Sequence, residues 1–296
     1  MKQMLYRRIR KLLARIDKLT DNRINSRRVI IFYIWSGEKM QNKRINWTRN
    51  ELIVAFNLYC RMAFGRIHKS NPEIIRISKK IKRTPSAVAM KMVNFASLDP
   101  VHQNRDVKGL KHGSKKDKQI WDEFHKDWER LAFESQQVSG KLIEEDGTEY
   151  TDEIVLRDSD IPTEAQRTTR VRLVQRFFRE TVLSSYNFSC TVCKLNLPAM
   201  LNASHIIPWS VDKIRRADPT NGLAFCVFHD RAFDRGLMTI NKNFRVVLSQ
   251  EVKVMNVPKL HRVGFLEIEG ISIILPDKFM PDQIALTYHR EKVFLQ

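Results

Sequence analysis

The sequence lacks any apolar run long enough to cross a bilayer, because the best candidate, Val29 to Trp35, is far shorter than the roughly 20 residues of a spanning helix. It also lacks the ordered charged, apolar and cleavage regions of a secretory signal. Cysteine is scarce: Cys60 stands alone and the other three form one local cluster, which does not make a disulfide framework. We therefore expect a soluble protein of the reducing cytoplasm, with no membrane partner.

Acidic residues are few relative to basic ones. The chain has 33 Asp and Glu against 52 Lys and Arg, which leaves a formal net charge of +19. Such an excess is typical of proteins that bind a polyanion, and it favours nucleic acid over a membrane surface. DNA is the partner we expect.

The composition changes along the 296 residues, which are enough for two domains with separate cores. The segment around "KLIEEDGTEYTDE" is acidic, polar and poorly patterned, which is typical of a linker. This gives four predicted parts: a basic extension over 1–45, a helical domain over 46–136, a linker over 137–165 and a second domain over 166–296.

The basic extension has two interpretations. It is either an arm that contacts DNA or a segment that is not native, with translation starting at Met40 rather than Met1. The second interpretation is favoured because the well-patterned sequence begins only after Met40.

The helical domain begins with three predicted short helices. Thr48 and Glu51 form a capping box before the first, and Asn71-Pro72 and Thr84-Pro85 begin the next two. This arrangement is helix-turn-helix-like, although a small bundle with a solvated basic face would give the same pattern. The basic residues that we expect on DNA are Lys79, Lys80, Lys82, Arg83 and Lys91. A further single helix is predicted over "KKDKQIWDEFHKDWERLAF", with its aromatic stripe in the core.

The second domain contains two short motifs of the kind that form metal-binding knuckles. They are Cys190-x-x-Cys193 and Cys226-x-x-His229. Three cysteines and one histidine at these spacings are typical of a closed structural zinc site. The sequence therefore predicts bound Zn²⁺.

Two aspartates follow the second knuckle on one helix. Asp230 and Asp234 are four residues apart, so they lie on one helix face, and their oxygen ligands suit Mg²⁺ or Mn²⁺. The spacing leaves His229 ambiguous: it either completes the zinc site or binds the second ion, with the cysteines then merely buried.

The blocks "ASHIIPW", "NGL" and "HDRAFDRG", in this order, resemble the restriction-type bacterial branch of the HNH endonuclease family. The resemblance is specific from about Arg172 to Ile240. It implies a ββα-metal nuclease core in which His205 is the general base and Asn221 braces the loop that holds it. In zinc-bearing relatives the closing cysteine and the active-site histidine fall eight and nine residues after the asparagine, and His229 and Asp230 occupy those positions here.

The predicted fold class is α+β: a helix-turn-helix-like helical domain followed by a ββα-metal HNH nuclease domain with a zinc knuckle. The predicted function is a metal-dependent DNA endonuclease of bacterial restriction or phage defence, with Arg215, Arg231 and Arg235 on phosphate. The alternatives are a non-catalytic, zinc-stabilised DNA-binding regulator and an RNase or toxin nuclease. A homodimer stays open, because two-fold symmetric sites would call for one but no dimer seam is visible in the sequence.

Overall fold

A computed structural model describes residues 46–105, 114–146 and 163–296. The predicted extension 1–45, the choice of start codon and the middle of the predicted linker lie outside these residues. Within them the fold is α+β, with helices and two small antiparallel sheets, as predicted. None of the described helices has the length and apolar character needed to cross a membrane.

The first three helices begin where the caps predict. Thr48 Oγ1 accepts from the Glu51 N–H at 3.3 Å, and Glu51 Oε2 accepts from the Thr48 N–H at 2.7 Å, which is a complete capping box. Asn71 and Thr84 cap the next two, each followed by proline at the first helical position. The resulting helices are α1 (Arg49–Arg61), α2 (Pro72–Lys80) and α3 (Pro85–Ala96).

The predicted long aromatic helix is divided in two. After the short α4 (Pro100–Gln103), the chain forms α5 (Lys115–Phe124) and α6 (Trp128–Asp146). The break lies at His125, whose N–H still donates to the Trp121 carbonyl as α5 ends. The next helix begins at Thr163, so the predicted linker 137–165 is helical at both ends. The aromatic stripe is buried in one core, as expected: Trp121, Phe124, Trp128 and Leu131.

Helix α7 (Thr163–Ser185) contributes to two hydrophobic cores. Val174 and Phe177 pack into the core of the N-terminal helices, whereas Phe178 and Val182 pack into the core of the C-terminal part. From Trp47 to Gln296 the described residues form one compact unit. The division into separate domains remains a prediction.

A β-hairpin and the helix after it form the centre of the C-terminal part. Strand β1 (Leu201–His205) pairs antiparallel with β2 (Gly222–Cys226), and His205 lies opposite Gly222. Helix α8 (Val227–Asp234) follows at once and contacts both strands. A Cβ atom on Gly222 would lie 2.4 Å from Val182 Cγ2 and 2.9 Å from Phe178 Cζ, so the glycine lets α7 pack directly against the hairpin.

The remaining elements surround this centre. Strands β3 (Met238–Ile240) and β4 (Val246–Leu248) form the second sheet, followed by α9 (Lys259–Gly264) and α10 (Gln283–Lys292).

A buried lysine joins the C-terminal tail to α1. Lys278 Nζ donates to the carbonyls of Tyr59, Cys60 and Met62 at 2.6, 2.6 and 2.8 Å, and burial lowers its pKa to about 7. These bonds satisfy carbonyls at the end of α1 that have no partner within the helix.

Candidate active site and metal centre

A cleft of about 600 Å³ lies between α7, the end of β1 and the outer face of α8. The predicted base His205 and the predicted ligands Asp230 and Asp234 all line it, together with Arg231 and Arg235. His205 lies 25 positions before Asp230 along the chain, and the hairpin and the helix after it bring the two residues to one cleft. The hairpin and α8 therefore bring a base, two carboxylates and two guanidinium groups to the cleft.

The His205 ring is fixed on its face and at one nitrogen. It stacks on Phe178, with centroids 3.7 Å apart and planes at 9°, while Trp209 meets it edge-on at 5.5 Å. Nε2 lies 3.0 Å from the Arg216 carbonyl oxygen. Because a carbonyl only accepts, Nε2 carries the hydrogen and Nδ1 is the basic nitrogen. Burial lowers the pKa of His205, which favours the neutral ring.

Asn221 holds the loop that follows His205. Its Oδ1 accepts from the Ile207 N–H at 2.8 Å, and its Nδ2 donates to the Ile207 carbonyl at 3.1 Å and to the Arg215 carbonyl at 3.4 Å. The Asn221 carbonyl also accepts from the Ile206 N–H. Asn221 is buried and does not line the cleft, so it can act on the base only through the backbone.

The two aspartates make an acidic pair on α8. Partial burial and the nearby charge of Asp230 raise the pKa of Asp234. Asn202 Nδ2 donates to Asp230 Oδ2 at 2.6 Å and orients that carboxylate. Within the described ranges no third His, Cys or acidic side chain joins the pair at ligand distance. A small hard cation fits this site, because Mg²⁺ commonly takes one or two carboxylates and completes its shell with water and phosphate.

The two knuckles form a second, separate cluster. The ligand atoms of Cys190, Cys193, Cys226 and His229 all lie within 4.8 Å of one another. Cys193 Sγ and Cys226 Sγ are 3.8 Å apart, and His229 Nδ1 lies 3.2 Å from Cys226 Sγ and 3.5 Å from Cys190 Sγ. A tetrahedral zinc ion would separate two sulfurs by about 3.8 Å and a sulfur and a nitrogen by about 3.5 Å. The geometry fits zinc.

His229 is directed at the cysteines and not at the cleft. Its Nε2 lies 3.0 Å from the Gly264 carbonyl, the second partner that zinc-binding histidines usually have. His229 is buried and is not among the residues that line the cleft. Of the two interpretations that the sequence left open, the geometry favours the zinc site.

A model of the HNH endonuclease family matches residues 190–241, which include both knuckles, the β1–β2 hairpin and α8. This segment belongs to the HNH endonuclease family. The family predicted from the sequence is thus confirmed. A comparison with curated proteins found no match to the chain. The HNH domain indicates a nuclease of the ββα-metal type with a nucleic-acid substrate. The restriction-type branch remains a prediction.

The basic residues predicted outside the HNH domain differ in their access to solvent. Lys79 and Lys82 are exposed, but the Lys80 Nζ atom is buried, so Lys80 does not present its charge to DNA as we expected. Lys91, which we expected in a DNA groove, is buried instead, with Nζ 2.8 Å from both carboxylate oxygens of Asp117. Lys91 is therefore not available to DNA.

Two predicted arginines are also engaged within the fold. Arg83 makes a two-point ion pair with Glu51 at 2.8 and 2.9 Å, and Arg215 lies 2.8 Å from Asp282 and 3.3 Å from Asp218. Both guanidinium groups thus already have carboxylate partners. Arg231 and Arg235, by contrast, are exposed at the mouth of the cleft.

The structure adds residues to the HNH site that the motifs did not indicate. Asn202 orients Asp230, Phe178 stacks on His205, and Gln175 and Arg179 of α7 line the cleft. Asn202 is a polar residue within a short strand next to the motif. This is the one sequence signal that could have indicated its role in the site. The three α7 residues lie outside the matched segment, so only tertiary packing identifies them.

Proposed function

We propose that the HNH domain hydrolyses phosphodiester bonds of DNA in this cleft, as an endonuclease that uses one divalent ion. The proposal rests on one observation: His205, with Nδ1 as its basic nitrogen, lies in the same cleft as the Asp230–Asp234 pair. A base to activate water and ligands for a cation are what phosphodiester hydrolysis requires.

In the proposed mechanism His205 Nδ1 takes a proton from the attacking water, a role that typically contributes a factor of about 10²–10⁴ to the rate. Asp230 and Asp234 would hold Mg²⁺ or Mn²⁺, and the bound ion would supply stabilisation of negative charge on the phosphate and on the leaving 3′-oxygen. Arg231 and Arg235 contact the non-bridging oxygens at the mouth of the cleft. The products are a 5′-phosphate and a 3′-hydroxyl.

The proposed zinc has a structural role. Cys226 is the N-cap residue of α8 and His229 lies in its first turn, so zinc would fix the start of the helix that carries both aspartates. With three sulfurs and one nitrogen the site is closed and leaves no position for substrate.

The N-terminal helices would hold DNA beside the HNH domain. The exposed Lys79 and Lys82 lie at the end of α2 and in the turn before α3, and we assign them to phosphate contacts. The resemblance to restriction-type enzymes supports bacterial restriction or phage defence as the biological context.

Incubation of methylated DNA, unmethylated DNA and RNA with the purified protein, with and without Mg²⁺ or Mn²⁺, tests the proposal. We expect metal-dependent cutting of DNA, and sequencing of the ends should give 5′-phosphates. Binding without cleavage under any metal would instead support a regulator, and cleavage of RNA alone would support an RNase.

A further inference from the structure

Helix α7 exposes a polar stripe between Arg172 and Arg179. Arg172, Gln175, Arg176 and Arg179 are all exposed, and their spacing of three, four and seven residues puts them on one helix face. The opposite face carries buried apolar residues: Leu173, Val174, Phe177 and Phe178. We refer to the four exposed residues as the α7 stripe.

The α7 stripe leads directly into the cleft. Gln175 and Arg179 line the cleft, beside the Phe178 ring that stacks on His205. Arg172 lies seven residues before Arg179, which corresponds to about 10 Å along the helix axis. The stripe therefore extends from the predicted base outward along the surface.

The charges of the stripe suit a phosphate backbone. Three of its four members carry guanidinium groups, which bind phosphate with two parallel hydrogen bonds. Arg176 shares Glu180 with Arg61, at 2.8 Å in each case. Among the described residues neither Arg172 nor Arg179 forms an ion pair. Arg179 Nη2 donates to the Pro198 carbonyl at 3.4 Å, and both guanidinium groups keep further donors for a ligand.

The other wall of the cleft is also basic. Arg231 and Arg235 of α8 are exposed there, and Asp230 and Asp234 of the same helix also line the cleft. A polyanion that enters would meet guanidinium groups on both sides and would meet the acidic pair only at the place where a cation is expected.

We propose that the α7 stripe binds the DNA phosphates that flank the scissile one, and this rests on the proposed nuclease function. Each strand of a duplex presents one phosphate per 3.4 Å of axis, so about three phosphates fit along the roughly 10 Å between Arg172 and Arg179. The stripe would hold the duplex in register while the second wall engages the scissile group.

The test is DNA binding as a function of salt concentration, by fluorescence anisotropy with a labelled duplex and no added divalent metal, so that DNA is not cut. The variant is Arg172→Gln with Arg179→Gln in the full chain. The matched control is Lys242→Gln with Lys292→Gln, because both lysines are exposed and neither lines the cleft. Each pair of substitutions removes two positive charges.

We expect the stripe variant to bind about tenfold more weakly than the wild type near physiological salt. The slope of log affinity against log salt should become less steep by about two, because each lost phosphate contact removes about 0.9 from its magnitude. The control should keep the wild-type slope. Equal slopes for the two variants, or a wild-type protein that binds no duplex, would overturn the proposal.

A parallel cleavage assay with Mg²⁺ separates this proposal from the nuclease proposal. If the protein cuts no DNA but the salt slope still falls only in the stripe variant, the binding surface is supported and the nuclease function is not. If the protein cuts DNA but the two variants have equal slopes, the nuclease function is supported and the binding surface is not.

Discussion

The Phe178 ring lies flat against His205, with centroids 3.7 Å apart and planes at 9°. This contact joins a helix outside the matched family segment to the predicted base inside it. It covers one face of the imidazole and contributes to the burial that lowers the pKa of His205. The packing of α7 therefore affects the predicted base as well as the fold.

Substitution of Phe178 by Leu should change the pH dependence of cleavage. The base works when neutral, so kcat/KM should fall as pH drops through the His205 pKa, which burial lowers from its ordinary value. A smaller side chain admits water and moves the midpoint of this acid limb upward, toward that ordinary value. Phe177→Leu is the control, because Phe177 is equally buried but packs in the other core. Identical acid limbs in the two variants would contradict the role of the stacking.

Gly222→Ala should harm both stability and activity. The added Cβ would meet Val182 and Phe178 at 2.4 and 2.9 Å, so α7 must shift, at a cost of about 1–3 kcal/mol in the free energy of unfolding. The shift also displaces Phe178 from His205 and should lower kcat. Gly65→Ala serves as control, since no atom lies within 4 Å of its added Cβ. Thermal unfolding and cleavage rates measure both effects, and wild-type values for Gly222→Ala would contradict this packing.

Asp230→Asn and Asp234→Asn should raise the concentration of Mg²⁺ or Mn²⁺ needed for half-maximal cleavage. Each removes one of the two carboxylates available to the ion, and we expect a change of at least about tenfold. Asp122→Asn, at an exposed position on α5, should leave the metal titration unchanged. Metal dependence that is the same in all three variants would exclude the acidic pair as the ion site.

Cys190→Ser should reduce bound zinc and stability together. The protein purified without chelator should contain about one zinc per chain, and loss of a ligand should lower both the zinc content and the unfolding temperature. Cys60→Ser is the control, because Cys60 is buried in the other core and lies outside the knuckles. Elemental analysis that finds no zinc in the wild type, or equal zinc in the two variants, would remove the proposed site.

Features set by neighbouring residues could be predicted from the sequence. The caps at Thr48, Asn71 and Thr84 act within three residues, and the structure confirms all three helix starts. The motifs indicated the family and, among the residues that line the cleft, His205, Asp230 and Asp234.

Features that depend on distant partners could not be predicted. Lys91 pairs with Asp117, 26 residues further on, and was therefore wrongly expected on DNA. The direction of the His229 ring depends on the Gly264 carbonyl, 35 residues away, which no spacing rule indicates. The division of the aromatic helix, by contrast, has a local signal that the sequence analysis missed. Asp127 Oδ1 accepts from the Arg130 N–H at 3.0 Å and caps the start of α6.

The most direct test of the account is cleavage of plasmid DNA by the wild type and by His205→Ala, with Mg²⁺ and at matched DNA occupancy. His205→Ala should lose at least about 10²-fold in cleavage rate while its DNA affinity stays within about twofold of the wild type, because the base contributes to the reaction and not to binding. A His205→Ala variant that binds and cuts DNA at the wild-type rate would contradict the central claim.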